Sequence, residues 1–201
     1  MLSNHDVQRH VTRYGGGWIG ARRARAAALL TLALPGSTYV YQGEELGLPE
    51  VTDLPERYLL DPQRGNGMGR EGCRVPIPWA YSEPPFGFSP PMVGESWLPV
   101  PAEWRNLTVE AQLDDPRSML RLYHEALRIR KELPALGDGE LRWLDGPDDV
   151  LIFERAPGFV CAVNFGRKPV RLDVDGTLLL SSARVNDAEL DADSAAWWVR
   201  T

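Results

Sequence analysis

Ser3-Asn4-His5-Asp6 sets a histidine beside a carboxylate, and Arg9, His10 and Arg13 follow within eight residues of His5. An imidazole next to a carboxylate can hold hydroxyl groups, move a proton or favour a developing positive charge. Taken alone, the pair also reads as an ordinary hydrogen-bonded contact. Chain termini tend to fray, so polar chemistry this dense at residues 3–13 leads us to expect further chain upstream of it. Arg70 and Arg74 form a second candidate, although by themselves they fit ion pairs within a loop. Glu44-Glu45 could suggest a paired acid and base, but adjacent residues on a strand point to opposite faces.

A third pattern, Gly15-Gly16-Gly17-Trp18-Ile19-Gly20, satisfies G-x-G-x-x-G, opens a helical run and has Glu44 and Glu45 about 25 residues further on. A dinucleotide site of this kind needs an apolar strand directly before the glycines. Residues 7–14 are too polar to be one. Cys73 and Cys161 lie far apart without a C-x-x-C spacing, so two free thiols in a reducing, cytoplasmic compartment are expected. Residues 1–20 show no basic segment followed by an apolar one, so no signal peptide is read there.

The elements that would position these groups differ along the chain. Residues 1–14 read as a strand end entering a polar loop. From Trp18 to Leu34 the run favours helix, with Ala21, Ala24, Ala28 and Leu32 on one face, and Pro35-Gly36 stops it. Residues 37–41 are β-branched and aromatic, which predicts a short buried strand, so the first 43 residues suit a βαβ unit. Residues 44–105 have no sustained period and hold eleven of the 17 prolines. Trp79, Trp97 and Trp104, with Phe86 and Phe88, argue for an ordered loop over a binding site rather than a disordered linker. A helix is predicted from Asp115 as N-cap and Pro116 as first helical residue. Met119, Tyr123, Ala126, Leu127 and Leu133 form its inward stripe, and Arg128, Arg130 and Lys131 gather near its C-terminal end. Beyond Gly137, strand-like runs at 140–144, 150–155, 159–165, 169–174, 177–185 and 196–200 predict a small antiparallel β-sandwich.

Composition excludes several classes. A net charge of −6 disfavours general nucleic-acid binding, and the cluster Arg22, Arg23 and Arg25 reads as a solvated helix face. The longest apolar run, residues 26–34, is too short to span a bilayer.

Three stretches in order carry a resemblance: residues 2–10 (Leu-Ser-Asn-His-Asp-Val-x-Arg-His), residues 34–47 ending in Tyr41-Gln42-Gly43-Glu44-Glu45-Leu46-Gly47, and Gly69-Arg70-Glu71-Gly72-Cys73-Arg74-Val75-Pro76-Ile77-Pro78-Trp79. Together they resemble glycoside hydrolase family 13, closest to the α-glucosidase and oligo-1,6-glucosidase branch of the α-amylase superfamily. Trp97-Leu98-Pro99-Val100 and the segment from Asp115 to Leu120 continue it. The resemblance implies an α/β fold: the C-terminal portion of a (β/α)8 TIM barrel over residues 1–135, followed by a small antiparallel β-sandwich over 138–201. Residues 1–6 would end strand seven, 18–34 form helix seven, 37–42 strand eight, 44–115 the long eighth loop and 116–133 helix eight. Active sites of such barrels sit at the C-terminal ends of the strands.

The same resemblance implies roles. Asp6 would be the carboxylate that holds sugar hydroxyls and stabilises an oxocarbenium-like transition state. His5 would bond hydroxyls of the same sugar, Arg70 would close the pocket at the non-reducing end, and Arg74 would lie near the leaving-group sugar. Glu71 stands where relatives commonly carry aspartate, and its extra methylene is expected to shift Arg70. Substrates would be α-glucoside oligosaccharides such as maltose or isomaltose, with no cofactor, and with no nucleic-acid or membrane partner. No metal ligand is assigned. The nucleophile and acid/base of the family would lie on strands upstream of Met1, so the 201 residues are expected to be a C-terminal fragment, inactive alone. Alternatives are a non-catalytic carbohydrate-binding or scaffold remnant, or a trehalose synthase, sucrose isomerase or transglucosidase on the same fold.

Overall fold

The computed structural model describes all residues except 63–68, 91–95, 173, 187–188 and 201. Parts of the expected long loop and of the expected strand 169–174 therefore lie outside the described residues. The chain forms two compact units, one of residues 1–20 and 39–121, the other of 21–38 and 122–201.

In the first unit, a bridge between Asn4 and Val7 precedes the one-turn helix α1, His10–Arg13. Helix α2, Gly17–Ala33, follows directly, its residues from Ala21 onward belonging to the second unit. The glycine cluster between them has a structural use. Gly15, Gly16 and Gly17 all have positive φ, a conformation that costs glycine little, and Gly16 N–H caps the Val11 carbonyl at 3.0 Å. A Cβ on Gly20 would strike that same carbonyl. A helix, not a strand, precedes these glycines, which removes the dinucleotide reading.

Residues 37–41 do not form the expected buried strand. No strand among the described residues pairs with them, and Tyr39 and Val40 are 68% and 39% exposed. β-propensity describes a fit to a sheet surface and supplies no ladder by itself. Residues 42–47 form a turn, so Glu44 and Glu45 are not on a strand either. The aperiodic stretch builds its own core from Leu46, Leu48, Val51, Leu54, Val75, Phe86, Leu98, Val100 and Trp104. Trp79, Phe88 and Trp97 stay exposed. Helix α3, Val109–Leu113, is capped by Thr108, whose hydroxyl accepts from Ala111 N–H at 3.1 Å.

Helix α4, Met119–Glu132, starts later than expected. Ser118 caps it, accepting the Arg121 N–H at 3.1 Å, while Asp115 accepts the Arg117 N–H in the preceding turn. Its buried residues are Met119, Leu122, Tyr123, Ala126 and Ile129, whereas Leu127 is 46% exposed. The apolar stripe is rotated by part of a turn from the expected one.

The second unit contains a five-stranded antiparallel sheet of β1 (Leu141–Leu144), β2 (Val150–Arg155), β3 (Phe159–Asn164), β5 (Thr177–Ser181) and β8 (Ser194–Val199), in the order β1-β2-β3-β8-β5. A three-stranded antiparallel sheet has the order β4-β7-β6, from Val170–Arg171, Glu189–Leu190 and Val185–Asn186. The expected single strand 177–185 is thus two strands in two sheets. Alternate residues explain the packing. Val160, Ala162, Ala196 and Trp198 share one buried cluster with Leu172 and Leu190. On the other face Trp197 Nε1 donates to the Leu29 carbonyl of α2 at 3.2 Å. Strand β3, buried at all six positions, therefore reads as a continuous apolar run.

Of the three arginines expected on a solvated face, Arg23 is exposed as expected, whereas Arg22 and Arg25 lie half-buried against backbone carbonyls. Arg22 donates to Ala192 O at 2.8 Å, Arg23 pairs with Asp193 at 2.9 Å, and Arg25 donates to Ser182 O at 2.8 Å. Arg155, 1% exposed, spreads its guanidinium over the carbonyls of Ala33, Leu136, Gly137 and Gly139. Arg130 donates to Leu32, Leu34 and Gly36 carbonyls, at the open end of α2. Among the described residues no helix is long and apolar enough to cross a membrane.

Candidate active site

The first unit assembles a polar cluster from three short segments. In the first, Asn4 Oδ1 accepts the Asp6 N–H at 2.7 Å, a local turn typical of asparagine. Ser3 anchors that turn. Its N–H donates to Glu44 Oε1 at 2.7 Å, and its hydroxyl accepts the His10 N–H at 3.0 Å. With Ser3 buried, Asn4-His5-Asp6 is left projecting.

The second segment is the 3-10 turn Gly72–Arg74. Buried Arg9 ties it down, donating through Nη2 to Cys73 O at 2.8 Å and through Nη1 to Gln42 O at 2.7 Å. The Tyr41 hydroxyl donates to the same Cys73 carbonyl at 3.1 Å, and its ring lies 5.4 Å below the Arg9 guanidinium. Gly72 allows the close approach, since a Cβ there would meet Glu50 Oε1 at 2.5 Å. The third segment centres on Asp61, whose N–H donates to Glu71 Oε1 at 2.6 Å.

These segments bring His5, Asp6, Arg70 and Arg74 together. Asp6 Oδ1 accepts from Arg70 Nη1 at 2.6 Å and from Arg74 Nη2 at 3.3 Å, and Oδ2 lies 3.3 Å from His5 Nε2. Arg74 Nε donates to the His5 carbonyl at 2.9 Å. The Arg70 hydrogen bond holds the Asp6 carboxyl below the usual carboxylate range, with the charges of His5 and Arg74 adding to it. Two carboxylates, Asp61 and Asp6, hold Arg70 well above the ordinary guanidinium value. Asp6 is therefore an ionised acceptor, suited to binding hydroxyls and favouring positive charge rather than donating a proton.

Asp61 has no counterpart among the residues singled out by sequence. It lies nine residues before Arg70 in an aperiodic stretch, with no spacing to mark it. Its carboxylate meets Arg70 edge to edge, Oδ2 with Nε and Oδ1 with Nη2, the latter at 3.0 Å. Glu71 braces Asp61 through its backbone and leaves Arg70 in reach of Asp6. A cavity of about 520 Å³ opens beside the cluster, lined by Asp6, Gln8, Arg13, Glu50, Leu54, Leu59 and Arg70 among others, a size suited to small ligands. Both cysteines are free and buried, and burial pushes the Cys73 thiol up to about 11.

Comparison with known proteins gives these groups a context. Residues 1–139 match the family described as alpha amylase, catalytic domain. A probable alpha-glucosidase of Rhizobium meliloti is 38% identical over 162 residues, covering 78% of this chain and 28% of the relative. An oligo-1,6-glucosidase of Parageobacillus thermoglucosidasius is 32% identical over 155 residues, covering 65% of this chain and 26% of its own length. The crystal structure of an alpha-glucosyl transfer enzyme superposes with a TM-score of 0.80 at 34% identity, covering 99% of this chain and 39% of that one. The chain thus spans under a third of the length of these two curated relatives. With more than half of its residues matched in one continuous block, the chain belongs to the α-amylase family of glycoside hydrolase catalytic domains.

Proposed function

We propose that this chain is the C-terminal part of an α-glucosidase that hydrolyses α-glucosidic bonds at the non-reducing ends of oligosaccharides with retention. The observation that carries this reading is the convergence of Asp6, His5, Arg70 and Arg74 beside one cavity. In this reading residues 1–135 are the C-terminal portion of a (β/α)8 barrel, and 138–201 form the β-sandwich. Asp6 and His5 bind hydroxyls of the sugar being cleaved, and Asp6 stabilises its oxocarbenium-like transition state. Arg70 closes the non-reducing end and Arg74 borders the leaving group.

Retention needs a nucleophile and an acid/base carboxylate about 5 Å apart. Asp6 pairs with cations and is assigned neither role. We assign both roles to the part of the relatives' length that this chain does not span, so the 201 residues alone are inactive. The 34% identity to an alpha-glucosyl transfer enzyme favours a second reading in which a sugar hydroxyl replaces water as acceptor.

The test is glucose release from maltose by the purified chain alone, and by the chain joined behind the N-terminal portion of the Rhizobium relative. We expect none from the first, and hydrolysis with α-glucose as the initial product from the second. Hydrolysis by the chain alone would sink the inactivity claim. A folded but inactive fusion would sink the function, and larger oligosaccharides in place of glucose would favour transfer.

A further inference from the structure

Arg70 has five N–H donors in a rigid plane. Three are used among the described residues: Nε and one on Nη2 by Asp61, and one on Nη1 by Asp6. Asp61 is built to hold its edge. Its side chain is 2% exposed against 28% for Arg70, and its backbone is pinned to buried Glu71. Two-point pairing fixes the orientation of a guanidinium as well as its charge. With the Nε edge committed to Asp61, Nη1 faces Asp6, to which it donates at 2.6 Å.

Charge is the second consequence. Arg70 and Arg74 would together be a ready anion site, since arginine forks match phosphate geometry. Asp6 and Asp61 cancel them within the same cluster. We propose that Asp61 is a positioning and specificity residue, orienting Arg70 toward Asp6 and cancelling its charge so that the pocket takes a neutral sugar and rejects a sugar phosphate. The proposal rests on the glucosidase reading for the word sugar, but the orientation and the exclusion of phosphate stand apart from it.

Side-chain Nε–H resonances of the isotope-labelled 201-residue chain test it, with inorganic phosphate as the probe and Arg70→Lys to assign the signal. In the native chain the Arg70 signal exchanges slowly and stays in place as phosphate is added. In Asp61→Asn it loses protection and moves with phosphate, which binds about tenfold more tightly than to the native chain, the scale expected for removing one nearby unit charge. Phosphate binding equally well to the native chain would overturn the proposal, as would an unchanged Arg70 signal in Asp61→Asn. Should Asp61→Asn unfold, Asp61→Glu keeps the charge on a longer arm. It displaces the Arg70 signal without conferring phosphate binding, and a phosphate response there would also overturn the claim. Failure of the fusion enzyme to hydrolyse maltose would leave these outcomes untouched, so the two readings fail separately.

Discussion

His10 Nδ1 lies 2.8 Å from the hydroxyl of Ser3, with both residues 1% exposed. His10 Nε2 is buried with no hydrogen-bond partner among the described residues, so the site holds a neutral imidazole and has nowhere to put a second proton. Burial, with Arg13 and Arg9 nearby, depresses the ring to about 4 from 6.5. Between those values the unfolded chain binds a proton that the folded chain does not. Stability is therefore complete above about pH 6.5 and falls as pH drops toward 4, by about 3 kcal/mol in all. Urea midpoints across this range should show the slope, and His10→Asn should flatten it. A midpoint that stayed level from pH 7 to about 4 would contradict this account.

Arg9→Met keeps most of the apolar stem of Arg9 and removes its donors. The carbonyls of Gln42 and Cys73 would each lose a charge-assisted partner. We expect a loss of roughly 3 kcal/mol in chemical denaturation. The turn Gly72–Arg74 should also loosen, seen as faster amide exchange at Arg74, whose N–H donates to Glu71 O at 2.9 Å.

Gly43→Ala faces two penalties at once. Its φ is +84°, and a Cβ would sit 2.6 Å from Leu48 Cδ1 and 2.7 Å from Arg9 Nη1. Backbone strain and displacement of the Arg9 strap together should cost about 2 kcal/mol or more. Gly16→Ala, with positive φ but open space around it, is the control and should cost less, about 1 kcal/mol.

Arg155→Lys separates charge from geometry. The guanidinium serves four carbonyls at 2.7–3.3 Å, and an ammonium has three donors at a single point. A loss of about 2 kcal/mol is expected with the charge retained. Equal stability of Arg155→Lys and native chain would show that charge, not the fork, is what matters there.

Much of the candidate site was legible through the ordered motifs of the resemblance. His5-Asp6 and the Arg70 to Arg74 stretch, each an ordinary contact by itself, are contiguous parts of those motifs, and the structure brings them together. Asp61 was not legible, because what marks it is a pairing across an aperiodic loop. The same limit explains residues 37–41, whose β-branched composition cannot provide partners for its backbone. It explains Arg22 and Arg25 as well, since a charged helix face looks alike whether it meets water or carbonyl groups. Periodicity found α4 but misjudged its phase, placing Leu127 inward where Leu122 and Ile129 belong. Strands β2, β3 and β8 were readable because each is a six-residue run rich in apolar, β-branched and aromatic residues, while the two-residue strands β4, β6 and β7 are defined only by their pairing with one another.

The two guanidiniums at the end of α2 have a bearing on the order in which the chain can fold. Arg130 and Arg155 reach back 98 and 122 residues to carbonyls of Leu32 and Ala33. During synthesis this alanine-rich helix would leave the ribosome long before either arginine exists, with its terminal carbonyls open to water. Contacts this distant are slow to form, because loop closure must precede any gain from them. Helix α2 is thus an early element with a late lock, and the unit containing it should gain protection as a whole only after β2 has been made.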